Sequence, residues 1–583
     1  MNQDVQGLER RIRQLSQRLS VIEERVAGLE SATSDKPIMR YGDPEDSAAD
    51  ALLEQPSRTT EMIPLIGRTL LVLAGAFVLR AITEAGTLNQ VAGTSLGILY
   101  AVAWFILADR AAGKGRNMAA AFYGLAGAII AFPLLAESTI KFDVLSPRST
   151  AVILAVVAGI ALVVAWRRNL VWMAWVVALG STATLMVLAV ATKALFLFIA
   201  CLLLLGVVTL WFGYVKGWRS LGWTIAVIVD GAVLMLGIIM LAGDTEKVTQ
   251  LLSPFAMVIL QLGLVVAYFG SFAVHTLTSD EDVGVPEMLQ GTAAILISLG
   301  GAHAIALRGV VSELLPGLVS LVMAAGCYSV SFVFMDRKLR KRGNFIFYTT
   351  AGLAFTLAAL VALLDGGPLV YALAAVAMGI SWLGGTKERA TLSLHGAVYT
   401  LAAAAAAGLF AGTASALIGQ SVPGTNWINS SILVVMVAAA FYCWFPVATH
   451  GRTWGGATSR IPKFLVLATF AIGMGGIAIT LGATFLPRGD DGVLDPAALA
   501  PLRTLILTVA AIHLAWVCRF PRLKEAAWLV YPVLIAGGLK LLLEDIRSGK
   551  PMTLVASFAL FGGALILAPR LVRRSKQTGS VDA

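Results

Sequence analysis

The feature that most constrains this chain is a succession of apolar stretches, each about 17 to 24 residues long, recurring from residue 63 to near the C-terminus. Folded as an α-helix at about 1.5 Å per residue, such a stretch crosses roughly 30 Å of hydrocarbon. A helix also satisfies its own backbone hydrogen bonds, which a lipid-exposed segment requires. With 58% hydrophobic residues, 13% charged and a mean hydropathy of +0.82, the chain lies outside the range of soluble domains. The expected fold is therefore all-α, a polytopic transmembrane helix bundle of about 18 spans. These are 63–83, 91–108, 118–136, 149–166, 171–192, 194–214, 221–242, 251–275, 288–307, 314–335, 345–364, 369–385, 391–412, 430–449, 462–486, 501–518, 526–546 and 551–569.

A net charge of +10 would suggest nucleic acid in a soluble domain, but here Lys and Arg gather in short loops between apolar stretches. No nucleic-acid partner is expected, because this balance directs membrane orientation. Loops after even-numbered spans carry about 24 basic residues against about 10 on the other side, among them Arg110, Lys114, Arg116, Arg167, Arg168 and the run "DRKLRKRG". Both termini are thereby expected in the cytoplasm. The acidic loop "TSDEDVGVPEM" is neutral on this point, since acids contribute little to orientation. The polar N-terminus shows no cleavable signal peptide, so the first span is expected to act as the targeting signal.

Four domains are expected: 1–32 a coiled coil, 33–60 a flexible linker, 61–572 the helical bundle and 573–583 a basic cytoplasmic tail. Residues 8–30, "LERRIRQLSQRLSVIEERVAGLE", carry a heptad pattern that, counted from Val5, places Val5, Ile12, Leu19 and Val26 at position a and Leu8, Leu15, Ile22 and Leu29 at d. A parallel homodimer would pair Arg18 with Glu23 and Arg25 with Glu30 of its partner. The same residues also fit a lone amphipathic helix lying on the bilayer or packing on another protein. Residues 33–60, rich in proline, acids and small polar side chains, have no sustained period.

Within the spans, Asp230 in "TIAVIVDGAVLML" is the residue that least belongs in hydrocarbon. It lies about nine residues, or roughly 13 Å, into its expected span. An aspartate at a helix centre costs about 2.5 to 3.5 kcal/mol on insertion, so a partner or a protonated form is expected. Gly222, Ala226, Val233 and Gly237 share its helical face, a small-residue stripe that suits helix contact and turns the carboxylate inward. It reads equally as a proton- or cation-responsive site and as a buried interhelical hydrogen bond or ion pair.

Lys540, with Glu544 at i+4, reads as a local ion pair at the interface. Arg68 and Arg80, near the ends of the first span, are expected to snorkel to the headgroups. Gln261, His303 and His513 sit in apolar spans without a second ligand at i+3 or i+4; they are expected as hydrogen-bonded core residues. Asp230, Lys540, Gln261 and His303 form the set of substrate or proton candidates. Pro133, Pro446 and Pro532 fall within or beside spans and can kink them. Cys201, Cys327, Cys443 and Cys518 stand singly, implying neither disulfides nor zinc.

There is no GxxxxGK[ST] phosphate loop, HExxH or GxSxG, and "AGKGRN" lacks the first glycine and the closing Ser or Thr of a phosphate loop. No catalytic residue, cofactor or metal is expected, and the chain is not expected to be an enzyme.

The first span, "IGRTLLVLAGAFVLRAITEAG", and the closing segments "GGLKLLLEDI" and "SFALFGGALILAPRLVRR" resemble those of the domain-of-unknown-function 2339 family, predicted bacterial multi-pass membrane proteins. The layout of coiled coil, linker and helix train is similar too. The resemblance implies a bacterial inner-membrane protein and supplies no activity. Two functions are then expected as alternatives. One is a secondary transporter or flippase-like carrier for an envelope or amphipathic metabolite; the other is a non-enzymatic scaffold that recruits partners through the coiled coil.

Overall fold

The computed structural model describes residues 58–85, 87–242, 252–279, 282–309, 311–336, 342–387, 390–419, 422–445, 460–487, 494–548 and 551–578. The expected coiled coil, most of the linker, Pro446 and the core of the basic run "DRKLRKRG" lie outside these residues. The chain divides into two units, 1–75 and 76–583. Of the first, residues 58–75 are helical and belong to α1 (Arg58–Glu84). The described helix thus begins within the last three residues of the expected linker, 33–60, the rest of which lies outside the described residues.

The second unit continues with α2 (Gln90–Gly113), α3 (Asn117–Ile140), α4 (Pro147–Arg168), α5 (Val171–Thr192), α6 (Leu195–Lys216) and α7 (Arg219–Ala242). Next come α8 (Pro254–Ser279), α9 (Val285–Ala306), α10 (Leu314–Asp336), α11 (Arg342–Leu363), α12 (Gly366–Thr386), α13 (Ala390–Ala406) and α14 (Leu409–Ile418). The series closes with α15 (Ser430–Trp444), α16 (Ile461–Ala483), α17 (Pro496–Val517), α18 (Ala526–Asp545) and α19 (Pro551–Thr578). Within the described residues each expected apolar stretch is mainly helical, and no strand occurs among them.

Among the described residues, fifteen helices are long and apolar enough to cross a membrane, or sixteen when α13 and α14 are taken as one bent span. The chain is thus a membrane-embedded multi-pass helical protein. Two of the eighteen expected stretches are shorter: the described apolar part of α1, Thr69–Thr83, and α15. The second is cut short because Phe445 precedes Pro446, whose ring disfavours helical backbone at the residue before it; Phe445 is extended, with φ −65° and ψ 143°. The expected span 391–412 is also not one rod. Gly408 takes the left-handed backbone, φ +71°, and α14 leaves α13 at 62°. At the other end, α19 runs on through Thr578, so the expected tail from residue 573 begins as helix.

Local sequence explains many of the helix ends. Asn89 caps α2, Ser146 caps α4 with Pro147 at the first turn, Asn429 caps α15, and Asp495 caps α17 ahead of Pro496. Gly217, at φ +74°, closes α6 and allows the tight reversal into α7. Small residues set the packing, as expected where lipid tails are as apolar as the side chains. A Cβ on Gly222 of α7 would meet the carbonyl oxygen of Thr209 at 2.9 Å, so α6 and α7 approach backbone to backbone. Tyr442, Val466, Ala515 and Val530 anchor a core shared by α15 to α19.

Candidate functional site between α7, α8 and α9

Asp230 is the twelfth of the 24 residues of α7, which begins two residues before the expected span and ends with it at Ala242. It is buried, at 7% exposure, as are Ala226, Val233 and Gly237 on the same face. Its Oδ2 accepts a hydrogen bond of 2.6 Å from Nε2 of Gln290 in α9. The other oxygen, Oδ1, is buried and has no hydrogen-bond partner. The carboxyl group is therefore half satisfied, by a neutral donor rather than by a cation.

Polar atoms continue from this point along the junction of the three helices. Tyr268 of α8 is fully buried, interacts electrostatically with Asp230 and leaves its hydroxyl unbonded. Two turns away on α8, Gln261 is 1% exposed and its Oε1 is likewise unbonded. Its Nε2 lies over two glycines, 3.2 Å from the Cβ position of Gly237 in α7 and 2.0 Å from that of Gly301 in α9. Only the missing side chains let this amide enter the junction. Between Gln290 and Gly301, residues Leu296–Gly300 form a π turn, and it carries the buried, unbonded hydroxyl of Ser298. Four unbonded oxygens thus belong to one three-helix junction, stretching over about 10 Å along α7 from Asp230 to Gly237.

Charged groups gather where these helices end. Tyr214, Arg219, His275, Thr276, Asp282 and Glu287 line a cavity of about 30 Å³. The rings of Tyr214 and His275 stack at 3.8 Å. Glu287 is three residues before Gln290 on α9, so the cavity opens about one turn from the partner of Asp230. Such an arrangement suits passage of a proton or a small cation between a charged mouth and a buried carboxylate. Among the described residues, no cluster of three His, Cys, Asp or Glu side chains is placed to hold a metal.

Asp230 and Gln261 both belong to the junction of α7, α8 and α9, about two turns apart along α7, whereas Lys540 lies in a separate network and His303 reaches Glu313. His303 is partly exposed near the end of α9, with Nδ1 3.8 Å from Glu313; it does not serve as a core residue. His513 is exposed on α17. Arg80 pairs with Glu137 at 3.0 Å instead of reaching freely for headgroups; the side chain of Arg68 lies outside the described residues.

Lys540 belongs to a second buried network. Its main anionic partner is Asp545 at 2.6 Å, and Glu544 stands farther off at 3.8 Å. Lys540 also donates to Thr504 and to the carbonyl of Ala500. Glu544 instead receives Arg503 at 2.7 Å. Arg503, 2% exposed, donates as well to the carbonyls of Ala416 and Gly419 at the end of α14. A π turn, Leu541–Asp545, brings this group together. The i+4 pair read from the sequence is thus the weakest contact of a network spanning α14, α17 and α18.

Sequence reasoning passed over Gln290, Tyr268, Ser298 and Arg503, and paired Lys540 with Glu544 and not with Asp545. The expected span 501–518 sets Arg503 at its edge, whereas α17 starts at Pro496 and carries it about two turns inward. The signal for Gln290 was a lone amide in "VPEMLQGTAAI", which no one-dimensional rule pairs with an aspartate sixty residues earlier. Comparison with protein-family models, curated proteins and solved structures gives no match for this chain.

Proposed function

We propose that the chain is a secondary transporter or flippase-like carrier for an envelope or amphipathic metabolite, coupled to protons or a small cation through Asp230. In this reading it belongs to the bacterial inner membrane, has both termini in the cytoplasm, crosses about 18 times and resembles the family named from its two ends. The observation that carries it is the half-satisfied carboxylate at the centre of α7, held by Gln290 beside a π turn. Ionisable groups inside transmembrane bundles face cavities or partners and mark ion and substrate pathways, and π turns recur at functional sites. A carboxylate serving only structure is better satisfied by two donors or a cation, since a buried orphan acceptor is costly.

Gain or loss of the ion at Asp230 changes its hydrogen bond to Gln290. That bond links α7 to α9 about one and a half turns before the π turn, where the helix is easiest to re-register. Ser298 and Gln261 then provide further oxygens along the junction. The test is complementation of a strain lacking the chain, scored on any envelope or efflux phenotype, with membrane levels matched by immunoblot. The carrier reading expects Asp230→Asn to fail and a chain lacking residues 1–32 to work. The reverse result would establish the scaffold, with the coiled coil as its active part.

A further inference from the structure

An open groove lies between α15, α16 and α17, apart from the Asp230 junction. Its volume is about 620 Å³, within the range of about 300 to 1,000 Å³ that small-molecule sites occupy. Its walls are apolar, with Met474 and Gly475 from α16, Val509 and His513 from α17, and Trp444 and Leu523 at one end. Along α17 the groove reaches from Ile506 to Val517, and along α16 from Leu467 to Ala478. Eleven helical steps on each wall give about 16 Å, close to half of a hydrocarbon core of about 30 Å. The groove is therefore as long as one leaflet is deep.

Its Trp444 end is strongly basic. The guanidinium of Arg522 stands 5.7 Å above the Trp444 ring. Arg519 and Lys524 are exposed on either side of the Pro521–Leu523 turn. Lys463 at the start of α16 interacts electrostatically with Arg460, Arg522 and Glu525, and Glu525 is the acid that faces this basic group. We infer that the groove is a binding site for an anionic phospholipid, with one acyl chain against α16 and α17 and the phosphate at the Arg519–Lys524 turn. The occupant follows from charge complementarity at one end and leaflet-deep apolar walls along the rest. An extended peptide segment would leave backbone polar groups unpaired against such walls. The inference is independent of the carrier reading and holds equally for a scaffold.

Gly475 offers a clean way to fill the groove, because a Cβ there meets nothing within 4 Å. Native mass spectrometry of the full-length protein in detergent, with dioleoylphosphatidylglycerol or dioleoylphosphatidylcholine added, provides the test. The wild type is expected to retain phosphatidylglycerol in preference to phosphatidylcholine. Arg522→Gln, an exposed change that spares the core, should weaken phosphatidylglycerol by about fivefold and leave phosphatidylcholine unaltered. Gly475→Leu should weaken both lipids, and inorganic phosphate should not displace the bound lipid. Equal retention of the two lipids, retention of neither, or binding unaffected by both substitutions would overturn the assignment.

Discussion

Asp545 is the most fully engaged carboxylate described in the molecule, and removing it measures what an ion pair inside this bundle contributes. Its Oδ2 accepts from Lys540 at 2.6 Å and from Thr504 at 3.0 Å, and its Oδ1 accepts from Ser557 at 3.0 Å. The side chains of Lys540 and Asp545 are 10% and 2% exposed, so neither charge can fall back on water. Asp545→Ala leaves the ammonium with Thr504, the Ala500 carbonyl and only the longer Glu544 contact at 3.8 Å, without its close anion. Breaking a buried pair in this way costs about 3 to 5 kcal/mol. Lys540→Met alone strands the carboxylate and should cost a similar amount. The double variant, Lys540→Met with Asp545→Leu, removes both charges together. It should return to within about 1 kcal/mol of the wild type or exceed it, because apolar replacement of a whole buried pair is often neutral or stabilising. Thr504 and Ser557 can then turn their hydroxyls onto carbonyls of their own helices. Unfolding in mixed micelles of dodecylmaltoside and sodium dodecyl sulfate, followed by tryptophan fluorescence, gives the double-mutant cycle. Single losses below about 1 kcal/mol, or a double variant as damaged as the sum of the singles, would refute the reasoning.

The remaining expectations use the same unfolding assay. Gly301→Ala drives a methyl group into the Gln261 amide, 2.0 Å away, and should cost about 1 to 3 kcal/mol, while Gly300→Ala, with nothing within 4 Å, serves as the tolerated control. Combining Gly301→Ala with Gln261→Ala should recover part of the loss; no recovery would mean the clash lies elsewhere. Asp230→Asn keeps an acceptor for Gln290 and should stay within about 1 kcal/mol of wild type, whereas Asp230→Leu leaves the Gln290 amide unpaired and should cost about 1 to 3 kcal/mol. Equal stability of the two variants would contradict that hydrogen bond. Asp109→Asn, which breaks a partly exposed pair with Arg168 at 2.6 Å, should cost no more than about 1 kcal/mol, and less in high salt.

Hydrocarbon imposes so strict a length and polarity requirement that every helix of the bundle could be read as an apolar stretch. What periodicity could not supply was the set of defects in those helices. The bend at Gly408 lies inside "AAAAAAGLFAG", whose hydropathy is continuous through the break; backbone conformation there follows from tertiary packing and not from apolar content. The π turns at Leu296–Gly300 and Leu541–Asp545 are equally silent in composition. Asp230 was legible because a midplane carboxylate violates a local rule. Its partner was not, because Gln290 violates none strongly. For Lys540, reading only the i+4 neighbour favoured Glu544, but the widened turn presents Asp545 instead, an i+5 contact that an ideal α-helix would carry to another face.

The two widened turns have a mechanical meaning beyond the residues they present. A π turn holds one surplus residue, and that surplus is a dislocation that can migrate along a helix by exchanging one hydrogen bond for its neighbour. Each step advances the intervening residues by about 1.5 Å and rotates them by about 100°, while both helix ends stay anchored. In α9, migration from Leu296–Gly300 toward Gln290 would re-aim Ser298 without lengthening the span or breaking its seating among its neighbours. A helix re-registered in this way would turn like a screw held at both ends, with no change in the outline of the bundle.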